Sequence, residues 1–218
     1  MIYSFGKLYS FLKRTKVKQK FYYVGNMKML IAGFLLLFIP LFSYCQKLEY
    51  SIMWKGDSIG YILINRTLTD STEYHRVRSV SNFRVIFSFT TGYSGETLYK
   101  NGKLIKSSAL NTMNGDVNGS ALVEWLNDEY LMIIDGEKKT WTEPVTSTVG
   151  LLYFQEPRGL NEVFSERHGR YLKIENNGDN YVLTKPDDRI NTYTYENGRC
   201  TKVEINNLLT NFSFHLIK

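Results

Sequence analysis

The sequence predicts a mainly β protein: a strongly curled antiparallel sheet or open barrel of about a dozen short strands with one short helix. Apolar and polar residues alternate in many short segments, and this period of two places every second side chain on one face of a strand. Dipeptides that favour tight hairpins separate several segments, namely Asn101-Gly102, Asp135-Gly136, Asn177-Gly178 and Asn197-Gly198. Because strand twist accumulates, so many antiparallel strands favour a bent sheet, a partial barrel or a sandwich, of which we choose the curled sheet or open barrel.

The predicted strands follow one another from Leu48 to Leu216. In the first, Leu48, Tyr50, Ile52 and Trp54 alternate with polar residues, and in the last Phe212, Phe214 and Leu216 do the same. The intervening strands are predicted at residues 61–65, 73–80, 83–89, 96–99, 104–108, 122–125, 130–134, 181–184, 192–195 and 202–205. The aromatic residues, including Trp54, Trp125 and Trp141, are expected to fill the interior, with lining of an apolar ligand pocket as the alternative.

Residues 146–154 depart from the alternation. They follow Pro144, begin with hydroxyl residues that can cap a helix, and carry apolar side chains at Val149, Leu152 and Tyr153. This pattern predicts a short helix that ends before Pro157. Such a helix, laid on the concave face of the sheet, would plug it.

The N-terminal residues have the composition of an export signal. A basic stretch ends at Lys28, an apolar core spans residues 29–39, and a short polar end covers residues 43–46. The apolar core is shorter than the roughly 20 residues that span a bilayer. We therefore predict a basic leader at 1–28, a signal core and cleavage region at 29–45, and a single β-rich domain at 46–218, with cleavage between Cys45 and Gln46.

Several alternatives for this leader stay open. The 26 residues before Met27 exceed a usual positive region, whereas Met27 or Met29 would open a signal of ordinary length. We therefore expect translation to start at Met27 rather than Met1. The rival is a basic amphipathic segment lying on the inner leaflet. The leader could also be retained as an anchor, or Cys45 could be lipidated, although the bulky Tyr44 fits that processing poorly. In each case we expect export through the inner membrane to the periplasm, the outer membrane or the medium, with membrane contact through the signal segment only.

The distribution of charge argues against a nucleic-acid partner. The whole chain has a net charge of +6, yet residues 1–46 hold seven basic and no acidic side chains, which leaves 20 basic and 21 acidic residues in 47–218. Nucleic-acid binding needs a clustered positive field. The nearly neutral domain lacks that excess, so we expect as partner an envelope protein, a surface polymer or an apolar ligand.

Five segments of the domain resemble a known group of proteins. They are residues 48–52, 56–60, 147–154, 193–198 and 203–205. In these strand and turn patterns the chain is similar to exported bacterial β-sheet proteins of a domain-of-unknown-function family, and more loosely to periplasmic half-barrels of the lipoprotein-carrier type. The resemblance spans most of residues 47–218 and implies the fold and the compartment. It brings no catalytic motif, and a lipoprotein-carrier role does not follow from it.

The sequence carries few candidates for chemistry. Glycine-rich phosphate loops, paired cysteine motifs, zinc-protease helices and nucleophile elbows are all missing from it. The best remaining constellation is Glu162, Glu166 and His168, which share one side of a strand, whereas on a helix only the two carboxylates share a face. This group offers a weak metal or hydrolase hypothesis, and the favoured interpretation is a solvated charged segment. No cofactor and no metal are predicted.

The other reactive side chains have simpler interpretations. His75 and His215 are expected to be exposed strand residues, and Asp187 and Asp188 to form a turn after Pro186. Cys200, the only cysteine beyond Cys45, is expected to be a half-buried strand residue rather than a nucleophile.

Three function classes follow. The favoured one is a non-enzymatic binding or interaction module that contacts an envelope protein or surface polymer through a sheet face or edge. The second is a carrier of a lipid or other apolar ligand, and the third is an enzyme with an unrecognised site. A closed apolar cavity would indicate the carrier, a filled interior the interaction module, and clustered buried carboxylates the enzyme. The sequence predicts neither a specific ligand nor an oligomeric state.

Overall fold

The computed structural model describes residues 44–84, 87–206 and 211–218. This part of the chain contains one antiparallel sheet of 14 strands. The strands are β1 (Tyr44–Trp54), β2 (Asp57–Leu68), β3 (Thr72–Arg84), β4 (Ser88–Lys100), β5 (Lys103–Met113), β6 (Asp116–Leu126), β7 (Glu129–Ile134), β8 (Glu137–Trp141), β9 (Glu162–Ser165), β10 (Arg170–Asn177), β11 (Asn180–Thr184), β12 (Ile190–Glu196), β13 (Arg199–Asn206) and β14 (Asn211–Leu216). A single 3-10 helix (Val149–Tyr153) precedes β9.

The sheet is built from two meanders that meet at β1. Strands β1 to β8 run outward in one direction, and β9 to β14 return so that β14 pairs with β1, with Tyr50 opposite Leu216. The two ends of the sheet are therefore β8 and β9, and the connection that contains the 3-10 helix links them. No ladder joins β8 to β9 within the described residues, so the sheet is open, as the sequence predicts.

Hairpin turns of the expected chemistry connect most neighbouring strands. At Asn101-Gly102 both φ angles are positive, 51° and 74°, as a type I′ turn requires. Asp135-Gly136 and Asn197-Gly198 have the same signs. The predicted turn at Asn177-Gly178 is shifted by one residue, because β10 continues through Asn177 and the loop consists of Gly178 and Asp179.

Contacts between distant strands show how far the sheet curls. Arg167, in the turn between β9 and β10, forms an ion pair of 2.9 Å with Asp135 in the turn between β7 and β8. The ring centroids of Trp141 on β8 and Tyr171 on β10 lie 5.8 Å apart. Strands near the two ends of the sheet thus contact each other without forming a ladder.

The 3-10 helix lies inside this curl and connects three groups of buried side chains. Leu151 packs with the residues of β4 to β8, Leu152 with those of β10 to β13, and Tyr153 and Phe154 with those of β1 and β2. The segment plugs the sheet as predicted, but it is one 3-10 turn and not an α-helix. The hydroxyl of Thr148 makes no capping bond and is hydrogen-bonded to the hydroxyl of Tyr99, at 2.6 Å.

Two strand predictions require correction. The predicted strand 83–89 is wrong, because Phe83 belongs to β3, which ends at Arg84, and Phe89 belongs to β4, which begins at Ser88. The two phenylalanines lie opposite each other in the pair formed by β3 and β4. The sequence also misses β8, β9 and β10. Strand β8 is polar at four of its five residues, and β9 is buried at three consecutive positions, so neither shows the alternation that marks a half-buried strand.

The predictions for residues 1–43 lie outside the described residues, including the start at Met1, Met27 or Met29. Cys45 and Gln46, the predicted cleavage position, stand at the beginning of β1, opposite Thr67 and Arg66. Cys45 is exposed there and carries a free thiol. Among the described residues no helix has the length and apolar character needed to cross a membrane.

Candidate functional site: the interior cavity

A cavity of about 270 Å³ lies on the concave side of the sheet. Strands β2 to β4 form one wall, strands β10 to β14 form the opposite wall, and the 3-10 helix and the turn after β9 contribute the remainder. Most of the lining is apolar because period-two alternation turns every second residue of these strands inward. The aliphatic and phenyl side chains of the lining are Ile62, Val77, Val149, Leu172, Leu183, Ile205 and Phe214.

One carboxyl group, that of Glu166, is buried in this lining. Glu166 is 8% exposed, and its Oε1 accepts a hydrogen bond of 3.1 Å from the backbone N–H of Gly150. Burial raises the pKa of the Glu166 carboxyl, and hydrogen bonds from Thr148 and the backbone oppose the rise only in part. The cavity therefore contains an acid that binds its proton more tightly than an exposed glutamate does.

A second polar group reaches the cavity from β3. His75 is 2% exposed, and its Nε2 lies 2.6 Å from Oε1 of Glu73, which also accepts a 2.6 Å hydrogen bond from Nε of Arg66. Burial alone would raise the pKa of Glu73, but the hydrogen bonds from His75 and Arg66 outweigh it and hold that pKa below its usual value. The Arg66 guanidinium also lies over the Phe154 ring, 4.9 Å from its centroid. Arg66 is therefore held in place by both Glu73 and Phe154.

Basic side chains concentrate on another part of the lining. Arg167, His168 and Lys185 all line the cavity, and Arg167 is neutralised by its ion pair with Asp135. Burial, with the charge of Arg167, lowers the pKa of His168 and so favours its neutral imidazole. Burial, together with the charge of Arg189, also lowers the pKa of Lys185.

The structure separates the three residues that the sequence singles out. Glu162 is exposed at the start of β9 and does not line the cavity, whereas Glu166 and His168 do. The expectation of a solvated charged segment is wrong for Glu166, because β9 ends at Ser165 and the following turn folds the carboxyl inward. Strand or helix periodicity does not apply to a turn, so neither pattern could place it.

His75 is a cavity-lining residue that sequence reasoning misplaces. It is buried, and its expected exposure is wrong, because His75 and Val77 alternate with the exposed Arg76 and Arg78 and therefore face inward. That alternation is the signal that could have located it. His215 is exposed as predicted. In the described ranges, no group of three or more His, Cys, Asp or Glu residues is arranged to hold a metal ion.

The remaining candidates are structural. Cys200 is completely buried rather than half-buried, and burial raises the pKa of its thiol to about 12. Asp187 and Asp188 lie in the turn between β11 and β12, as predicted. Trp125 and Trp141 pack at the margin of the core formed by β4 to β8, and Trp54 packs against Phe83. None of the three tryptophans lines the cavity.

Two comparisons with known proteins yield matches. A family model described as "Domain of unknown function (DUF6134)" matches residues 50–217. A solved structure from Brucella abortus, a β-barrel-like protein of the domain of unknown function DUF1849, superposes with a TM-score of 0.53 and 9% sequence identity, over 79% of this chain and 95% of that chain. At this identity the likeness concerns the fold alone. No curated protein matches the sequence.

Proposed function

The chain belongs to the DUF6134 family of domains of unknown function, and we propose that it is a non-enzymatic binding module that holds a small, mainly apolar ligand inside its curled sheet. The observation that carries the proposal is the cavity of about 270 Å³ between the two walls of the sheet. Ligand sites are typically concave and mostly apolar, with a few polar groups at defined positions. The interior of this domain has that composition.

The size of the cavity restricts the ligand. A volume of 270 Å³ corresponds to the liquid volume of about nine water molecules, and hence to a ligand of roughly ten non-hydrogen atoms. Typical ligand sites begin near 300 Å³. The ligand we propose is accordingly a small molecule or one short acyl chain, and not a lipid with two long chains.

Two other functions have less support. Acid–base hydrolysis commonly uses a pair of carboxylates, but Glu166 is the only carboxylate among the described cavity-lining residues. An interaction through the β8 edge is disfavoured by the exposed Glu137, Lys138 and Lys139, because charges on an edge strand oppose the addition of another strand.

Isothermal titration calorimetry with octanol tests the binding function. Octanol is neutral and has about the number of non-hydrogen atoms that the cavity accommodates. We expect the native domain to bind it and Val77→Trp, which fills the cavity from β3, to lose binding. Val80→Trp is the matched control, because Val80 lies on the same strand, faces outward and is 37% exposed. If Val77→Trp remains folded and binds octanol as the native domain does, the cavity is not the site.

We also propose that this domain works outside the cytoplasm after export through the inner membrane. The support comes from the order of basic, apolar and polar residues in 1–46. Mass spectrometry of the N-terminus of the protein isolated from cells tests this directly. We expect a first residue near Gln46, and an intact Met1 would contradict both the cleavage and the alternative translation start.

A further inference from the structure

Lys185 holds an unusual position at the end of β11. Tyr181 and Leu183 of that strand are buried, and the period of two carries Lys185 to the same inward side, where its side chain lines the cavity. The backbone N–H of Lys185 donates a hydrogen bond of 2.8 Å to the carbonyl oxygen of Arg189. This bond holds the end of the strand and fixes the origin of the lysine side chain.

The ammonium group of Lys185 has no ion-pair partner among the described residues. Its nearest acidic neighbour in sequence, Asp187, is engaged with Arg189, whose Nε donates a 2.6 Å hydrogen bond to Oδ2 of Asp187. The buried carboxyl of Glu166 accepts its hydrogen bond from Gly150. Lysine ammonium groups that are buried are normally paired with an acid. Partial burial of Lys185 is the main cause of its lowered pKa.

The charges of the lining leave this part of the cavity positive. Arg167 is compensated by Asp135, the lowered pKa of His168 favours its neutral form, and the raised pKa of Glu166 favours its protonated form. Among the described residues of the lining, the ammonium of Lys185 is the positive charge without an ion-pair partner, although the charge of Asp187 partly offsets it. An anion placed beside this ammonium would gain a charge-assisted hydrogen bond in a partly desolvated environment.

A buried polar atom without a hydrogen-bond partner lies close to Lys185 in the sheet. Asn191 on β12 stands opposite Leu183 on β11 and also lines the cavity. Its Oδ1 is buried and has no hydrogen-bond partner within the described residues. Buried acceptors usually have a partner, so Oδ1 of Asn191 would accept a hydrogen bond from a donor group of a ligand, although the Asn191 side chain is already hydrogen-bonded to Tyr193. The apolar part of such a ligand would lie toward Ile62 and Phe214 across the cavity.

We propose that the cavity takes a small anionic amphiphile, a short-chain carboxylate in the simplest case, whose head group pairs with Lys185. This inference rests on the proposed binding function and specifies its ligand class. The carboxylate accepts a hydrogen bond from Nζ of Lys185, and the alkyl chain extends along the apolar walls. A ligand with a hydroxyl group next to the carboxylate could in addition donate to Oδ1 of Asn191.

Calorimetric titration with octanoate, octanol and octylammonium tests the inference. These probes share one alkyl chain and differ in head-group charge. Since hydrogen bonds to charged groups contribute more than neutral ones, we expect the native domain to bind octanoate at least about tenfold more tightly than octanol. Octylammonium is expected to bind least well because the ammonium of Lys185 repels it.

Two substitutions and one control assign the effect to Lys185. Lys185→Met keeps the length of the side chain without its charge and is expected to abolish the preference for octanoate while octanol binding remains. Lys185→Arg is expected to keep the preference, which guards against a variant that simply fails to fold. Lys173→Met serves as the control, because Lys173 is exposed on the outer face of β10 and pairs with Glu175.

The outcomes distinguish the two levels of the proposal. Equal affinities for octanoate and octanol, or a preference that persists in Lys185→Met, would refute the role of Lys185 and leave the binding function standing. Failure of all three probes to bind the native domain would contradict the binding function itself. A preference lost equally in Lys173→Met would show that the net charge of the domain, and not this side chain, is responsible.

Discussion

Replacing Tyr130 by phenylalanine tests how the connection between the two ends of the sheet is held. Tyr130 on β7 is fully buried. Its hydroxyl donates a 2.7 Å hydrogen bond to the carbonyl oxygen of Leu104 and accepts one of 3.1 Å from the backbone N–H of Val145. Val145 leads into the segment that carries the 3-10 helix, so this one oxygen connects β5, β7 and the segment that lines part of the cavity.

The expected loss of stability follows from these two hydrogen bonds. In Tyr130→Phe the buried N–H of Val145 loses its acceptor and the carbonyl oxygen of Leu104 loses one donor, while the ring volume is retained. Each buried group left unsatisfied costs about 1–3 kcal/mol, so we expect the free energy of unfolding to fall by about 2–4 kcal/mol. In a domain of this size that corresponds to a decrease in Tm of about 5–15 °C.

The free energy of unfolding is measured by urea denaturation, and equal m-values in the native domain and the variants would show that stability alone has changed. Tyr74→Phe is the matched control, because the Tyr74 hydroxyl only accepts an exposed hydrogen bond of 3.2 Å from Arg76, and its removal should cost less than about 0.5 kcal/mol. A loss of that small size in Tyr130→Phe as well would refute the idea that the buried hydroxyl anchors the connection.

Three further predictions concern ionisable groups. Burial raises the pKa of Glu166 above 4.5, so the free-energy cost of ionising the buried carboxyl grows as pH rises through the folded-state pKa. Glu166→Gln should therefore be more stable than the native domain at pH 7 and lose this advantage toward pH 4.5. A pH-independent difference in the free energy of unfolding would contradict this. Asp135 behaves oppositely, because the Ser120 backbone N–H and Arg167 lower its pKa below 3.8. Asp135→Asn should therefore lower the free energy of unfolding by about 0.2–1 kcal/mol at pH 7. This difference should vanish as pH falls through the lowered pKa of Asp135. Urea titrations across pH measure both. The buried thiol of Cys200 should react with a thiol reagent only on unfolding, and rapid labelling of the native domain would contradict its burial.

The fold follows from the sequence to the extent that local chemistry determines it. Turns such as Asn101-Gly102 have a strong conformational preference that depends on two residues alone, and they are found where predicted. The 3-10 helix is only partly predictable, because the Thr148 hydroxyl bonds to the distant Tyr99 instead of capping a helix. Strand β9 is formed by tertiary burial on both sides, which leaves no periodic pattern in its four residues.

The candidate site is less predictable because its members are far apart in the chain. His75, Glu166 and Lys185 come from β3, from the turn after β9 and from the end of β11, and only the curl of the sheet brings them to one cavity. The alternation around His75 indicates its inward direction, but it does not reveal what it faces. Glu166 lies in a turn, where neither periodicity applies, so the structure is needed to place it.

The central expectation for this domain is that a small anionic amphiphile occupies its interior cavity. A crystal structure of the domain with 6-bromohexanoate tests this most directly, because the anomalous signal of bromine locates the tail and the density locates the head group. We expect bromine among Ile62, Leu183 and Phe214, with the carboxylate within hydrogen-bonding distance of Nζ of Lys185. An empty cavity at saturating ligand, or bromine bound only on the outer face of the sheet, would contradict the account.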